Sequence, residues 1–192
     1  MGPRFRGDDI EFWAGRGVTT STSPTKTTSP ALRSGILAAL ATLILDQASK
    51  LWLLYVFDIS RRGAVAVTPF FDLVLAWNTG ISYGWFSDSG PTGQAVLIAV
   101  KALAVVALAV WMAKSQTRLA TIALGLIIGG AIGNAIDRFA WGAVVDFALL
   151  HIEISGRTYN WYVFNLADVA IVAGVAALLY DSFFIDPAAK AP

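Results

Sequence analysis

The chain has 192 residues, of which 56% are hydrophobic and 14% are charged. Soluble domains carry roughly 25% charged residues, so this composition and a mean hydropathy of +0.64 nearly exclude a soluble enzyme and indicate a membrane protein. The 14 Lys and Arg residues almost balance the 13 Asp and Glu residues, which leaves no basic surface, and we expect no nucleic-acid partner. With no Cys and the single His151, enzyme chemistry would come mainly from carboxylates, hydroxyls or Lys.

The N-terminal region differs in composition from the rest of the chain. Residues 1–32 are charged at first and then rich in Thr, Ser and Pro from Val18 to Pro30, which predicts a disordered tail. We predict one membrane domain over residues 33–186 and a short cytoplasmic C-terminal tail over residues 187–192.

Four apolar segments are each long enough to cross a bilayer. They run roughly from Ser34 to Phe57, from Gln94 to Ala113, from Leu119 to Ile136 and from Val163 to Ile185. The loop Lys114–Arg118 carries two cations, and the positive-inside rule places it in the cytoplasm. Both termini are then cytoplasmic as well, although Arg61 and Arg62 in the predicted outside loop count against this orientation.

The two predicted outside segments contain strand-like sequence. Ala64–Pro69, Phe70–Trp77 and Ala143–Ile154 are rich in β-branched and aromatic residues, and turn-forming residues follow the last two. We therefore predict short strands on the outside. The predicted fold class is a membrane all-α fold with a small outside-facing β portion and four transmembrane helices.

Polar residues in and beside the spanning segments gather at one end of the predicted bundle. An ionisable residue inside a spanning segment costs roughly 2.5–3.5 kcal/mol on an insertion scale, so each one needs a reason to be there. With the orientation above, the residues at the outer ends are Asp46, Gln47, Lys50, Asn134, Asp137, Arg138, Asp146, Asn165 and Asp168, whereas Lys101 lies in the middle of the second segment. The sequence therefore predicts one polar site near the outer membrane surface.

Several of these features have a structural interpretation. Asp46 and Lys50 are four residues apart and share a helix face, which favours a structural ion pair over a direct catalytic role. Gly125, Gly129 and Gly133 recur every four residues, a pattern typical of close helix packing. We interpret His151 as an interfacial residue rather than a catalyst.

The carboxylates in apolar surroundings are harder to explain structurally. Asp146 and Asp168 have apolar neighbours and no cation nearby in sequence. Two carboxylates in a partly dry pocket cannot both ionise easily, so one can take a proton from water while the other hydrogen-bonds the carbonyl under attack. This arrangement predicts peptide hydrolysis without Ser, Cys or metal, and spacing alone leaves open which two of Asp137, Asp146 and Asp168 form the pair.

Five motifs in order resemble those of bacterial lipoprotein signal peptidase, the type two signal peptidase. They are Asp46-Gln-Ala-Ser-Lys50, Asn78-Thr-Gly80, Gly129-Gly-Ala-Ile-Gly-Asn134-Ala-Ile-Asp137-Arg138, Val144-Val-Asp146-Phe147 and Phe164-Asn-Leu-Ala-Asp168. Each motif is weak alone, but five in order on four spanning segments are specific. The resemblance covers about residues 33–185.

The resemblance implies an intramembrane aspartyl endopeptidase of the bacterial inner membrane that removes signal peptides from diacylglyceryl-modified prolipoproteins, cutting before the lipidated Cys. It implies inhibition by globomycin-like cyclic peptides and a β-cradle beside the site. The catalytic pair would be Asp146 and Asp168, with Asp137 structural. The residues that would shape the pocket and position substrate are Asp46, Lys50, Asn78, Gly80, Asn134, Arg138 and Asn165. We expect no metal or cofactor, contact with membrane lipid, and a monomer.

The chain departs from the family pattern in its long N-terminal tail, at Lys101, and at Ile81-Ser82, where small residues are usual. Three other functions remain open from the sequence. A proton-coupled transporter component would also carry intramembrane carboxylates, but such sites usually lie at the midplane. A Ser/Lys peptidase would use Lys50 with Ser49 or Ser82, and a membrane scaffold would explain the glycines but not the acids.

Overall fold

A computed structural model describes residues 29–79 and 90–184, with side chains for all of these except residues 90–98 and 101. The helices are α1 (Pro30–Leu51, continued by a π-helical turn at Trp52–Val56), α2 (Ile59–Arg62), α3 (Gly90–Lys114), α4 (Arg118–Trp141) and α5 (Leu166–Phe184). The strands are β1 (Val65–Thr68), β2 (Phe71–Asn78), β3 (Val144–Ile154) and β4 (Arg157–Asn160). The predicted tail over residues 187–192, and all but the last four residues of the tail over 1–32, lie outside the described residues.

The predicted fold class is confirmed. In the described ranges, three helices are long and apolar enough to cross a membrane, namely Pro30–Val56, Arg118–Trp141 and Leu166–Phe184. The fourth long helix, α3, contributes the apolar stretch Ala102–Lys114. Large apolar side chains face outward along these helices, up to Phe139 at 96% exposure, as expected of a surface that lipid covers.

Helix boundaries differ from the predicted ones because capping residues set them. α4 continues to Trp141 rather than ending near Ile136, and it stops where Gly142 adopts a left-handed conformation with φ 74°. α5 begins at Leu166 rather than Val163, since the Asn165 side chain accepts a hydrogen bond from the backbone N–H of Asp168 at 3.0 Å. The end of α4 and the start of α5 therefore both lie at the predicted polar site.

α4 is the central helix, and glycines let its neighbours approach it closely. The α carbons of Gly125 and Gly129 face the backbone of α1, and a Cβ on either would collide with a carbonyl oxygen there. On the other side, a Cβ on Gly174 of α5 would lie 2.6 Å from the Ala123 carbonyl oxygen of α4. The predicted glycine packing face is confirmed, and it extends to a second interface.

The strands form one antiparallel sheet in the order β1-β2-β3-β4, and this confirms that the two segments contain strands, whereas their position outside the membrane stays a prediction. β3 starts directly after α4, and its first five residues, Val144–Ala148, are buried, whereas its far half is mostly exposed. Leu53, Ile59, Phe147 and Ala148 pack together beneath the sheet. This core holds the start of β3 against the end of α1, so Asp146 lies inside the protein although it belongs to a strand.

Candidate active site

Asp146 and Asp168 come from different elements that start beside each other. Asp146 lies in the buried half of β3 and is 2% exposed. Asp168 lies in the first turn of α5 and is half-buried. One carboxyl group is therefore enclosed, and the other has access to the surface.

Asn165 joins the two residues. Its side-chain Nδ2 donates to Asp146 Oδ1 at 2.6 Å, and its backbone N–H donates to Asp168 Oδ2 at 3.2 Å. The Asp168 N–H donates in return to Asn165 Oδ1 at 3.0 Å, a reciprocal arrangement like the capping box. The residue that starts α5 thus also connects its carboxyl group to the one on β3.

The other two carboxyl oxygens also accept hydrogen bonds from asparagine side chains. Asn78 Nδ2 donates to Asp146 Oδ2 at 2.9 Å, and Asn134 Nδ2 donates to Asp168 Oδ1 at 2.9 Å. Over residues 29–79 and 90–184, neither aspartate forms a salt bridge. All four oxygens are held by neutral donors.

Burial raises the pKa of Asp146 above its ordinary value, and the nearby negative charge of Asp168 raises it further. The hydrogen bonds from Asn78 and Asn165, together with the positive charge of Lys50, act in the opposite direction without cancelling the effect on this pKa. Desolvation penalises the charged form of a carboxyl group. Burial therefore favours the protonated form of Asp146.

Another carboxylate pair, Asp46 and Asp137, lies behind Asp146 and Asp168 and has a cation between its members. Lys50 Nζ lies 2.8 Å from Asp46 Oδ2 and 2.7 Å from Asp137 Oδ2, and all three side chains are 0% exposed. The predicted ion pair between Asp46 and Lys50 is present, with Asp137 as an additional partner. Lys50 Nζ also donates to Asn134 Oδ1 at 3.1 Å.

These buried carboxylates bind backbone as well as side chains. Asp137 Oδ2 accepts from the Val145 N–H at 3.1 Å, and Asp46 Oδ1 accepts from the Ala167 N–H at 3.0 Å. Gln47 Nε2 connects both carboxylates, donating to Asp46 Oδ2 at 3.2 Å and to Asp137 Oδ1 at 2.9 Å. The sequence placed Gln47 among the polar residues at the outer ends but assigned it no role in the site.

The structure brings nearly all predicted site residues together. Asp46, Lys50, Asn78, Asn134, Arg138, Asp146, Asn165 and Asp168 belong to one cluster, whereas Gly80 lies outside the described residues. Half-buried Arg138 donates from Nη1 to the Asn134 carbonyl at 3.1 Å and lines an apolar groove of about 840 Å³ between α3 and α4. The roles assigned to these residues stay predictions.

Two other polar residues from the sequence analysis, His151 and Ser49, do not join the Asp146–Asp168 pair. His151 lies on the outer half of β3, with Nε2 3.3 Å from Asp72 Oδ1. Ser49 donates its hydroxyl to the Asp46 carbonyl at 2.7 Å, within its own helix. The Ser49 hydroxyl is therefore not poised beside the Lys50 ammonium as a nucleophile, and Ser82 lies outside the described residues.

Comparison with known proteins identifies the family of the chain. The signal peptidase II family matches residues 38–184. The chain belongs to that family. Lipoprotein signal peptidase of Nitrobacter hamburgensis is 78% identical over 161 residues, which cover 84% of this chain and 98% of the relative. Lipoprotein signal peptidase of Rhodopseudomonas palustris strain CGA009 is 73% identical over the same shares of the two chains.

Solved structures have the same fold. One bacterial membrane enzyme superposes with a TM-score of 0.66 at 26% identity, covering 80% of this chain and 95% of the other. A second superposes with a TM-score of 0.63 at 27% identity, covering 81% and 93%. Signal peptidase II enzymes are peptidases, so this membrane protein is a hydrolase of peptide bonds, and its family membership supports signal-peptide removal from prolipoproteins.

Proposed function

We propose that this chain is an intramembrane aspartyl endopeptidase that removes signal peptides from diacylglyceryl-modified prolipoproteins by cutting before the lipidated Cys. Asp146 and Asp168 would be its catalytic residues. The observation that carries the proposal is that all four of their carboxyl oxygens accept hydrogen bonds from neutral donors, with Asn165 joining the pair. Neither group forms a salt bridge in the described part of the chain, which leaves the pair able to share one proton.

The two environments suggest separate roles. Asp146, whose pKa is raised by burial, would be protonated; it would hydrogen-bond the scissile carbonyl oxygen and pass its proton to that oxygen as water attacks. Half-buried Asp168 would be the base and would take a proton from the water that attacks the carbonyl carbon. When the C–N bond breaks, the leaving nitrogen would receive the proton from Asp168, and one hydroxyl proton of the tetrahedral intermediate would return to Asp146.

The position of the pair suits a lipid-anchored substrate. Each buried CH₂ of a lipid chain contributes about 0.8 kcal/mol, so a diacylglyceryl group keeps the modified Cys at the bilayer surface. Asp168 is in the first turn of α5, and Asp146 is in a strand just outside the helices, so both would lie near that depth. Arg138 and exposed Asn78 would contact the bound peptide beside the pair.

The proposed function also implies an oligomeric state, a membrane topology and a class of inhibitor. We propose that the protein is a monomer in the bacterial inner membrane, with both termini cytoplasmic and the sheet on the periplasmic face. Globomycin-like cyclic peptides would inhibit it by occupying the peptide site.

Cleavage by the purified protein tests the proposal. The substrate is a diacylglyceryl-modified prolipoprotein, and the variants are Asp146→Asn and Asp168→Asn, each checked for folding. The matched control is Asp181→Asn, because Asp181 is a buried carboxylate at the opposite end of α5, where Thr117 donates to it at 3.2 Å.

We expect wild type and Asp181→Asn to cut before the lipidated Cys, and the other two variants to lose about 10²- to 10⁴-fold in kcat. Retained activity in folded Asp146→Asn or Asp168→Asn would refute the assigned pair. Failure of the wild type to cut would refute the endopeptidase function.

A further inference from the structure

Each proposed catalytic aspartate directly follows a residue whose backbone is tied to the buried carboxylates. The Val145 N–H, next to Asp146, donates to Asp137 Oδ2, and the Ala167 N–H, next to Asp168, donates to Asp46 Oδ1. Because consecutive Cα atoms are about 3.8 Å apart, these two bonds fix where both catalytic side chains begin. A single cation, Lys50, lies between Asp137 and Asp46.

We propose that Asp46, Lys50 and Asp137, with Gln47, form a clamp that sets the distance and orientation between Asp146 and Asp168. The clamp residues are positioning residues for the dyad and do not contact substrate. This inference rests on the proposed function, because it assigns the clamp to the chemistry of that pair.

The clamp also controls the orientation of an amide beside the dyad. Lys50 Nζ and Asn165 Nδ2 both donate to Asn134 Oδ1, at 3.1 and 3.0 Å. With its oxygen committed to two donors, the Asn134 carboxamide must direct its NH₂ group at Asp168 Oδ1, where it donates at 2.9 Å. Lys50 thus orients Asp168 through Asn134 as well as through Asp46.

Burial separates this role from substrate binding. Asp46, Lys50 and Asp137 are 0% exposed, and Gly133 presses against the cluster from α4, since a Cβ there would lie 2.5 Å from Asp46 Oδ2. Side chains that are fully buried do not contact a substrate. This role therefore differs from the one that the family resemblance implies for Asp46 and Lys50, which is to shape the pocket and position substrate. The clamp lies behind the dyad and can act on the reaction only by placing it.

A purely structural network and a dyad clamp have different kinetic consequences. Loss of a structural network lowers stability and the fraction of folded enzyme, but each folded molecule keeps its kcat and its pH–rate profile. Loss of the clamp changes the spacing of the two proposed catalytic carboxyl groups, so it changes kcat and the separation between the two limbs of the profile.

The experiment uses Asp137→Asn and Asp46→Asn in the full-length protein, with Asp181→Asn as the matched buried-carboxylate control. For each variant, kcat, KM, the pH–rate profile and the thermal midpoint are measured on folded protein. We expect Asp137→Asn and Asp46→Asn to lose about 100-fold in kcat, the effect of a misplacement of about 1 Å, with KM nearly unchanged and the two limbs shifted relative to each other. Asp181→Asn should keep the wild-type kcat and profile.

Gln47→Met is the second variant, since it removes the three hydrogen bonds from Gln47 Nε2, to Asp46, Asp137 and the Gly133 carbonyl oxygen, without leaving a buried charge unpaired. We expect a loss of about tenfold in kcat, equivalent to about one hydrogen bond. If Asp137→Asn and Asp46→Asn do not fold, the kcat and pH–rate profile of Gln47→Met test the clamp instead.

Wild-type kcat and an unchanged pH profile in folded Asp137→Asn, or in Gln47→Met if the former does not fold, would overturn the clamp. That result, with Asp146→Asn inactive, would leave the proposed function intact. Activity in Asp146→Asn would instead remove the function on which the clamp rests.

Discussion

Two pairs of aspartates lie side by side in this protein and differ in what surrounds them. Asp46 and Asp137 share the ammonium group of Lys50 and are completely buried. Within the described residues, the hydrogen bonds to the carboxyl oxygens of Asp146 and Asp168 come from amide N–H groups alone, and Asp168 has access to the surface. Two aspartates of one cluster therefore form ion pairs, and the other two form none with the residues that the structure describes.

The difference shows how a small membrane protein can separate rigidity from reactivity. A cation between two carboxylates lets both carry charge in a dry interior, and breaking such a pair is costly. Neutral donors instead orient the two carboxyl groups of Asp146 and Asp168 and leave a proton free to move from one to the other. Hydrogen bonds from the Val145 and Ala167 N–H groups connect the first pair, Asp46 and Asp137, to the second pair. The first pair can therefore position the second.

Removal of the shared cation should have the largest effect on stability. Lys50→Met leaves two buried carboxylates uncompensated, and we expect the free energy of unfolding to fall by about 3–5 kcal/mol. Unfolding in detergent micelles measures this loss. The control is Arg61→Met, which breaks the exposed ion pair with Asp58 and should change stability by less than about 1 kcal/mol. Equal stability of Lys50→Met and wild type would show that the first pair is not held by charge.

A methyl group placed against the first pair should have the next largest effect. The Cβ of Gly133→Ala would lie 2.5 Å from Asp46 Oδ2, and overpacking of this kind costs about 1–3 kcal/mol. Gly174→Ala is the control, since its Cβ would lie 2.6 Å from the Ala123 carbonyl oxygen of α4 and not against the aspartate cluster. We expect both to lower the thermal midpoint, and only Gly133→Ala to lower kcat per folded molecule. A matching loss of kcat in Gly174→Ala would mean that overpacking anywhere in the bundle disturbs the dyad.

The sequence was sufficient for the helices and for the gathering of polar residues, because both follow from apolar length and from the cost of burying charge. It could not show which carboxylate pairs with which. The contact between Lys50 and Asp137 depends on how closely α1 approaches α4, and the glycines that permit this indicate proximity without giving the register. Asn165 and Asp168 are three residues apart at the start of a helix, and this spacing is a signal from which their reciprocal capping bonds could have been predicted.

Loss of the residue that joins the second pair should have a smaller effect on stability. Asn165→Ala removes the cap of α5, a loss of about 1 kcal/mol, and also removes the donor to Asp146 Oδ1. Ser29→Ala removes the equivalent cap of α1, where Ser29 Oγ accepts from the Leu32 N–H at 3.2 Å. We expect similar small losses in thermal midpoint, and a loss of kcat in Asn165→Ala alone. Full kcat in Asn165→Ala would show that the bridge between the carboxyl groups is dispensable.

The smallest effect concerns the pH at which the second pair works, and it identifies which member carries the proton. Asn78 donates to Asp146 and lowers the pKa of that carboxyl group, against the larger effect of burial, which raises it. Asn78→Ala should therefore raise the pKa of Asp146 further, and the measurement is the pH dependence of kcat/KM beside Asn160→Ala, an exposed asparagine on β4. If Asp146 must be protonated, activity is lost as pH rises through its pKa, so the alkaline limb moves to higher pH and the acid limb stays in place. If Asp146 is instead the base, it must be ionised, and the acid limb moves to higher pH; that result would exchange the roles of the two aspartates while keeping both in the dyad.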